Sequence, residues 1–392
     1  MNRVPIVYFG NDWFADNRTS SHHIARCLAK RFRVLYADSP GLRAPGMNRR
    51  DVGKIRKKLA MSLSPPKQVF ENIWHITIPQ FPFRTFRGAA ALNRVLSVAF
   101  VRRAMRKLDI ANPLLWFAVP HTEPVVGRLG ERGVVYYCID DYSQLPGVAS
   151  RQIAEMDERL ARRADQVFVS SPALFDPKKA LNPHTVYSPH GVDVDFFGRA
   201  ADRTLPVPER IRNLPHPVIG FFGLMESWFD MDLLRYLAVE RPNWQFLMIG
   251  RVAVSTAGLE TLGNVHFVGP QPYESLPDWT RAFDVAIIPF RDSQLVKAVN
   301  PLKLREYLAA GKPVVSTWMP ELDRFADLIG IEREPRRFLE RIEAALESDS
   351  EEQRRLRMSR MAPLSWSSRV DEVLRVVEER IRLGAPNAAS VK

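Results

Sequence analysis

The strongest constraint in this sequence is a series of short, almost wholly apolar segments that alternate with stretches of helical periodicity. Apolar runs of about four to eight residues without polar alternation are typical of strands buried on both faces. In the first half they lie at 5–10, 33–38, 73–79, 114–119, 134–140, 166–171 and 185–191. Helical patterns at Ser21–Arg31, Ala90–Leu108 and Ser150–Ala164 separate them. The first half is therefore predicted to form a doubly wound parallel sheet in an α/β domain.

A second series of the same kind begins after a segment rich in Pro and charge. Its apolar runs are 218–223, 246–250, 265–269, 285–290 and 313–317. Two Rossmann-like domains are predicted, 1–197 and 218–362, joined by a linker at 198–217. A C-terminal helix over 363–384 is expected to cross back to the first domain, and 385–392 to be a disordered tail. Ligands of such sheets bind at the carboxyl ends of strands, which places the predicted site in a cleft between the domains.

Composition limits the compartment and the relation to membranes. The two cysteines, Cys27 and Cys138, have no CxxC or His cluster beside them, which indicates a reducing cytoplasm and no metal site. The N-terminal apolar run is too short for a signal peptide, and no apolar run reaches the roughly 20 residues that cross a bilayer. We expect a cytoplasmic protein, either soluble or peripheral on the inner membrane face.

The positive charge is concentrated in one segment. Residues 43–107 carry 15 Lys and Arg against the two acids Asp51 and Glu71, which accounts for the whole net charge of +12. Bases in it include Arg49, Arg50, Lys54, Arg56, Lys57, Lys58, Arg84, Arg87, Arg94, Arg102, Arg103, Arg106 and Lys107, with Phe and Trp between them. A solvated basic face and an anionic membrane contact both fit this pattern. Nucleic acid is not expected, because no nucleic-acid-binding motif is present.

The segment 300–317, NPLKLREYLAAGKPVVST, carries the clearest chemical signal. Asn300 is a preferred N-cap, Pro301 suits the first helical position, and Gly311 before Pro313 ends the helix. Lys303 adds a charge to a helix end that already attracts anions, and Glu306 shares its face. The segment predicts a diphosphate at Lys303 with Glu306 on ribose hydroxyls, or else an ordinary ion pair on a surface helix.

The same segment resembles the donor-binding helix of GT-B glycosyltransferases similar to glycosyltransferase family 4. Glu306 matches the second glutamate of that family's paired motif, whereas Ala298 stands at the first, so the contacts of the first glutamate do not carry over. Asn300, Lys297 or nearby backbone are the candidates to replace it in binding the substrate. The blocks 188–197, 218–223, 264–277 and 285–290 are also similar to GT-B blocks. N-terminal segments, among them VVYYCIDDYSQLPG, resemble bacterial exopolysaccharide and teichuronic-acid transferases, and more distantly the xanthan glucuronosyltransferase.

Candidate catalytic groups follow the first-domain strands. Asp140 and Asp141 come directly after a predicted strand, where one carboxylate can serve as general base on an acceptor hydroxyl. Asp140 is preferred because it matches the Asp after the tyrosine-rich strand of the resembling transferases, and helix capping is the alternative for either residue. His190 is a candidate ligand of the donor, and His22 or His23 of donor or acceptor.

The second domain supplies further candidates. Gly223 would let the backbone approach the donor, Arg251 could stabilise the departing diphosphate, and Tyr273 could contact the nucleotide. The alternatives are a tight turn at Gly223, a surface ion pair at Arg251 and a packing role for Tyr273. Two D-x-D spacings, 193–195 and 230–232, are of the type that holds a metal in GT-A transferases. Their context lies outside a GT-A layout, so no metal or other cofactor is expected.

The resemblance implies a glycosyltransferase that moves a sugar from a nucleoside diphosphate, a UDP-sugar by preference, to a hydroxyl of a lipid-linked or polysaccharide acceptor. A GT-B-like sugar-nucleotide epimerase is one alternative, which leaves the basic segment unexplained. A non-catalytic glycan-assembly or nucleic-acid-binding protein is another, favoured by the missing first glutamate. Incubation with donor alone distinguishes a transferase from an epimerase, because only an epimerase converts the donor without an acceptor. Failure to bind any nucleotide sugar would favour the non-catalytic protein.

Overall fold

The computed structural model describes residues 4–15, 18–38, 60–81, 88–202, 204–205, 207–256 and 258–381. They form two compact units. The first contains 4–15, the described residues from Thr19 to Pro189, and 369–381. The second contains Arg18 and the described residues from His190 to Ser368. The predicted disordered tail and the bases from Arg49 to Lys58 lie outside the described residues, as do Arg84 and Arg87.

The first unit is built on an eight-stranded sheet with the order β3-β4-β2-β1-β5-β6-β7-β8. Every neighbouring pair is parallel except β3 and β4. The strands are β1 Ile6–Gly10, β2 Val34–Asp38, β3 Lys67–Phe70, β4 Ile73–Thr77, β5 Leu114–Phe117, β6 Gly133–Cys138, β7 Gln166–Val169 and β8 Thr185–Tyr187. All seven predicted runs are strands, and the exposed antiparallel edge strand β3 is additional.

Helices connect these strands. They are α1 Ser20–Ala29, α2 Ala89–Lys107, α3 Ser150–Arg163 and α4 Pro172–Leu181. Short 3₁₀ segments follow β5 at Pro120–Val125 and β6 at Tyr142–Gln144. All strands of this sheet except β3 run parallel to one another, so the loops that follow them lie at one edge of the sheet.

The second unit has a six-stranded, fully parallel sheet with the order β11-β10-β9-β12-β13-β14. Its strands are β9 Val218–Phe222, β10 Gln245–Ile249, β11 Val265–Gly269, β12 Val285–Ile288, β13 Val314–Ser316 and β14 Gly330–Ile331. Its helices are α5 Val194–Gly198, α6 Met231–Glu240, α7 Leu276–Thr280, α8 Gln294–Ala298, α9 Leu302–Ala309, α10 Pro335–Ser348, α11 Glu351–Met361 and α12 Trp366–Arg380. Chain order reverses at β9, which lies between β10 and β12, so its carboxyl end is the topological switch point where ligands of such sheets bind.

The predicted linker 198–217 lies within the second unit. Ala200 and Ile211 are buried in the hydrophobic core of that unit. Most of α12 groups with the first unit, where Asp371 pairs with Arg31 at 2.7 Å and Ile381 lies against Gly133. Both parallel sheets have the doubly wound α/β architecture that the apolar runs predict.

Candidate functional site

Two glycines shape the switch point of the second unit. Gly223 follows β9 with φ +146°, and Gly250 follows β10 with φ +131°. A Cβ on Gly250 would lie 1.9 Å from the carbonyl oxygen of Gly223, so the two backbone segments pass in direct contact. Side chains are excluded at both positions, which leaves backbone exposed to a ligand. Gly223 is among the site residues predicted from the sequence and Gly250 is not. Both strands end in the same way, with an apolar run followed by Gly.

Helix α9 is fixed against this strand end by its apolar face. Leu304, Tyr307 and Leu308 are fully buried, as the predicted i, i+3, i+4 stripe requires. The hydroxyl of Tyr307 accepts a hydrogen bond of 2.9 Å from the backbone N–H of Phe222, the last residue of β9. This contact sets the first turn of α9 beside Gly223.

The start of α9 differs from the sequence prediction. Pro301 occupies the cap position and Leu302 is the first helical residue, so Asn300 is not the N-cap. Asn300 is instead buried, and its side-chain oxygen accepts a hydrogen bond from the guanidinium of Arg305. Arg305 also pairs with Glu321, and both charged side chains are almost completely buried. The Asn300 amide therefore holds the chain before the helix in place.

Lys303 and Glu306 are the charged groups at this helix end. The Lys303 side chain crosses Gly223: a Cβ there would lie 2.0 Å from Cε and 2.8 Å from Nζ. Nζ is also 6.0 Å from the centre of the Phe221 ring, within cation–π range. Burial lowers the pKa of Lys303 and raises that of Glu306 to about 7, and each is partly offset by the other's charge.

Neither group is satisfied inside the described part of the chain. Within that part, the Lys303 ammonium and the Glu306 carboxylate form no hydrogen bond and no ion pair within 4 Å. Glu306 is buried and Lys303 half-buried, and charges removed from solvent are normally paired or hydrogen-bonded, so this pair is typical of a binding site. The helix end, the ammonium and the bare glycine backbone can receive a diphosphate, while the carboxylate can accept hydrogen bonds from a diol.

The other second-unit candidates lie in different surroundings. Arg251 follows β10 and Gly250, and its side chain is exposed, with no partner in the described structure. Tyr273 is 7% exposed and stacks on Phe196, with ring centroids 4.9 Å apart. Its ring is therefore a packing element. His190 is buried, with its ring 5.8 Å from that of Trp366.

Asp140 and Asp141 differ although they are adjacent in the first unit. The Asp141 carboxylate caps the 3₁₀ segment after β6, accepting from the backbone N–H of Ser143 at 3.1 Å and from its hydroxyl at 2.6 Å. Within the described residues, the Asp140 carboxylate accepts one hydrogen bond, from the backbone N–H of Asp141 at 2.9 Å. Burial raises the pKa of Asp140 to about 7, to which the neighbouring Asp141 charge adds. Asp140 therefore has the properties of a general base at neutral pH, and Asp141 those of a cap.

The two histidines of α1 are buried at its first turn. His22 Nδ1 accepts from the backbone N–H of Thr19 at 3.0 Å, which leaves Nε2 protonated to donate to the carbonyl of Asp12 at 3.0 Å. Both nitrogens of His22 thus stabilise the start of the helix. His23 is 7% exposed on the same turn.

A buried pair at the same sheet was not selected from the sequence. His75 Nε2 lies 2.8 Å from Asp38 Oδ2, and both side chains are at least 95% buried. Asp38 ends β2, and His75 lies on the adjacent β4, two residues before Thr77, the register partner of Asp38. An acid at a strand end beside a polar residue inside an apolar strand is the signal that could have identified them.

The D-x-D spacings serve as helix caps. Asp193 accepts from the backbone N–H of Phe196 at 3.3 Å, and Asp230 from those of Asp232 and Leu233, each at 3.1 Å. Asp232 pairs with Arg291 at 2.7 Å. Across the described ranges, no cluster of three or more His, Cys, Asp or Glu side chains has metal-binding geometry.

The second unit is similar in sequence to known glycosyltransferases. Residues 216–348 match the model of glycosyl transferases group 1. A putative teichuronic acid biosynthesis glycosyltransferase, TuaH of Bacillus subtilis (strain 168), is 27% identical over 310 residues, covering 69% of this chain and 78% of TuaH.

Solved structures share the two-sheet architecture over nearly the whole chain. A trehalose-6-phosphate protein of E. coli bound with UDP-2-fluoro glucose aligns with a TM-score of 0.69 and 13% identity over 96% of this chain and 99% of its own. Sucrose-phosphate synthase of Thermosynechococcus elongatus aligns with a TM-score of 0.69 and 15% identity, over 97% of this chain and 100% of its own. Anabaena HepE in complex with UDP and glucose aligns with a TM-score of 0.65 and 13% identity, over 96% of this chain and 99% of its own. Residues 216–348 carry a glycosyl transferases group 1 domain, which makes the chain a glycosyltransferase, and the described structure has the GT-B fold of these solved structures.

Proposed function

We propose that this enzyme transfers a sugar from a UDP-sugar to a hydroxyl of a lipid-linked or polysaccharide acceptor at the cytoplasmic face of the membrane. The observation that carries the proposal is the pair of unsatisfied charges at the start of α9. Lys303 lies across the bare backbone of Gly223, and Glu306 is one turn along the same helix face.

The donor end of the proposal follows from charge and hydrogen-bonding capacity. A diphosphate offers its oxygens to the Lys303 ammonium and to the free amides of the first turn. The Glu306 carboxylate accepts from the two ribose hydroxyls. UDP is favoured because the E. coli and Anabaena structural relatives are described with UDP-2-fluoro glucose and with UDP and glucose.

Asp140 is the proposed general base. Its pKa of about 7 allows it to be ionised and still accept a proton from an acceptor hydroxyl near neutral pH. Arg251, exposed at the end of β10, is the proposed second cation for the departing diphosphate. His190 and His23 stay candidate contacts of the substrates.

No divalent cation is assigned to the reaction. Lys303 and the helix end supply positive charge where a metal would otherwise stand, and Asp193 and Asp230 are already occupied as caps. Transfer is expected to persist when EDTA is present. Loss of transfer with EDTA and its recovery with Mg²⁺ or Mn²⁺ would assign a metal.

Helix α2 supports contact with an anionic membrane. It has five bases and no acid, and Arg94, Arg102, Arg103, Arg106 and Lys107 are all exposed. On the same helix Leu92 is 47% and Val95 60% exposed. Apolar side chains beside exposed bases fit a surface that binds anionic headgroups. Among the described residues, none of the helices combines the length and apolar character that a bilayer span requires.

This surface supports a lipid-linked acceptor, and the teichuronic acid relative supports a glycan as acceptor. Sedimentation with vesicles tests it: the wild type should bind vesicles containing phosphatidylglycerol and not pure phosphatidylcholine. Replacing Arg102, Arg103 and Arg106 by Ser should abolish that binding.

Calorimetric titration with UDP tests the donor site. Lys303→Ala removes a charged hydrogen-bonding group worth about 1.5–3 kcal/mol, so UDP affinity should fall roughly 10- to 100-fold. Lys179→Ala is the matched control, because Lys179 is an exposed lysine of the first unit whose ammonium donates to the carbonyl of Pro183. Equal affinity of wild type and Lys303→Ala would remove the site assignment.

A further inference from the structure

The first unit contains a cavity of about 260 Å³ away from the donor residues. Its walls come from the first halves of α2 and α3 and from the 3₁₀ segment Pro120–Val125. Pockets for small molecules usually measure roughly 300–1,000 Å³, so this cavity suits a small ligand or one unit of a larger one.

The cavity lies at the ligand-binding edge of its sheet. Helix α2 follows β4, the 3₁₀ segment follows β5, and α3 follows β6, so all three begin at the carboxyl ends of parallel strands. Asp140 comes directly after β6 at this edge, ten residues before α3 begins at Ser150. A ligand bound in the cavity would thus lie at the same edge of the sheet as Asp140, the proposed general base.

Two polar groups in the wall are available to a ligand. Ser97 is 97% buried, and its hydroxyl makes no hydrogen bond to any other described residue. The Gln152 amide, on the opposite wall, is likewise without a partner in the described structure. Buried polar groups are nearly always satisfied, so an open hydroxyl inside a cavity indicates a partner other than the described residues.

The rest of the wall is held rigidly. Asn93 accepts from the backbone N–H of Phe81 at 2.6 Å and donates to its carbonyl at 3.1 Å, so its amide is fully used in fixing α2. Such a support keeps Ser97, one turn further on, in a defined position.

The charged side chains around the cavity are paired with one another. Arg159 is 3.3 Å from Glu123, which Arg163 also contacts at 2.8 Å, and Glu155 pairs with Arg151 at 3.1 Å. A charged ligand would meet groups that are already paired. An uncharged ligand rich in hydroxyls would meet the Ser97 hydroxyl and the Gln152 amide instead.

We propose that this cavity binds an uncharged sugar unit of the acceptor. The inference rests on the proposed transferase function and adds the place and chemistry of acceptor recognition. Ser97 and Gln152 hydrogen-bond the sugar hydroxyls, and Met156 and Pro124 contact its C–H surface.

Saturation-transfer NMR with simple glycosides tests the proposal. The probes are the methyl glycosides of glucose, galactose and N-acetylglucosamine, each added to the full-length protein. At least one should receive saturation from the wild type. In Ser97→Val and in Gln152→Ala its affinity should fall about fivefold, as expected for one neutral hydrogen bond. Gln353→Ala, at an exposed glutamine of α11, is the matched control and should bind as the wild type does.

UDP titration of the same variants separates this inference from the function beneath it. Ser97→Val and Gln152→Ala should bind UDP as tightly as the wild type, which also shows that they are folded. No saturation of any glycoside, or equal affinity in wild type and both variants, would overturn the cavity assignment. Glycoside binding in a wild-type protein that fails to bind UDP would instead overturn the transferase proposal.

Discussion

Gly223 and Lys303 occupy one space: the Cβ that any other residue would place at 223 lies 2.0 Å from Cε of Lys303. The glycine directly follows β9, and the lysine is the second residue of α9, 80 residues later in the chain. Position 223 therefore decides whether the ammonium can lie over the switch point.

Gly223→Ala should displace Lys303 and lower UDP affinity at least tenfold. At φ +146° the alanine also strains the backbone, which costs about 1–3 kcal/mol of stability. Calorimetry and thermal unfolding measure the two effects. The control is Gly263→Ala, where a Cβ meets nothing within 4 Å. If Gly223→Ala bound UDP normally, the close approach would have no bearing on the site.

The buried Glu306 should make stability depend on pH. Its pKa is about 7 in the folded chain against an ordinary 4.5, so the folded state keeps a proton that the unfolded state has released. Stability is consequently lost as pH rises from about 4.5 to 7. Relative to the wild type, Glu306→Gln should gain up to about 3 kcal/mol between pH 4.5 and 8. Urea unfolding at several pH values measures this, and a constant difference between the two proteins would contradict it.

Asp140→Asn should abolish transfer while leaving the donor site intact. Loss of a general base lowers kcat by about 10²- to 10⁴-fold, and UDP affinity should not change. In the wild type, the rate should rise with pH through about 7 as Asp140 loses its proton. Asp141→Asn is the internal control: it keeps a side chain that can cap the segment, should change stability by less than about 0.5 kcal/mol and keeps most activity. The reverse ranking of the two variants would make Asp141 the base.

Arg305→Met should destabilise the second unit by about 3–5 kcal/mol. It leaves the Glu321 carboxylate, which is completely buried, without its partner. Adding Glu321→Leu should recover much of the loss, since an apolar pair replaces a broken ionic one. Arg336→Met breaks the exposed pair with Glu340 and should change stability by less than about 0.5 kcal/mol. Chemical unfolding ranks the variants, and similar losses for Arg305→Met and Arg336→Met would contradict the prediction.

The architecture could be predicted because buried strands carry their own signal. All twelve apolar runs are strands, and the stripe of Leu304, Tyr307 and Leu308 packs inward. The two strands that were missed lie at sheet edges. Lys67–Phe70 is largely exposed and so lacks an apolar pattern, and Gly330–Ile331 is only two residues long. The pairing of an edge strand with its neighbour uses backbone groups, which any sequence provides.

Only part of the candidate site could be predicted from the sequence. The sequence determined that Lys303 and Glu306 share one face of a helix after a parallel strand, because helical spacing and strand patterning are local properties. The tertiary structure decided which polar groups are already used. Asn300 serves Arg305, Asp141 serves Ser143, and Tyr273 packs on Phe196, whereas Lys303, Glu306 and Ser97 have no such partner in the described residues. Hydrogen bonds and burial are set by residues far apart in sequence, so only the folded chain separates structural groups from those open to a substrate.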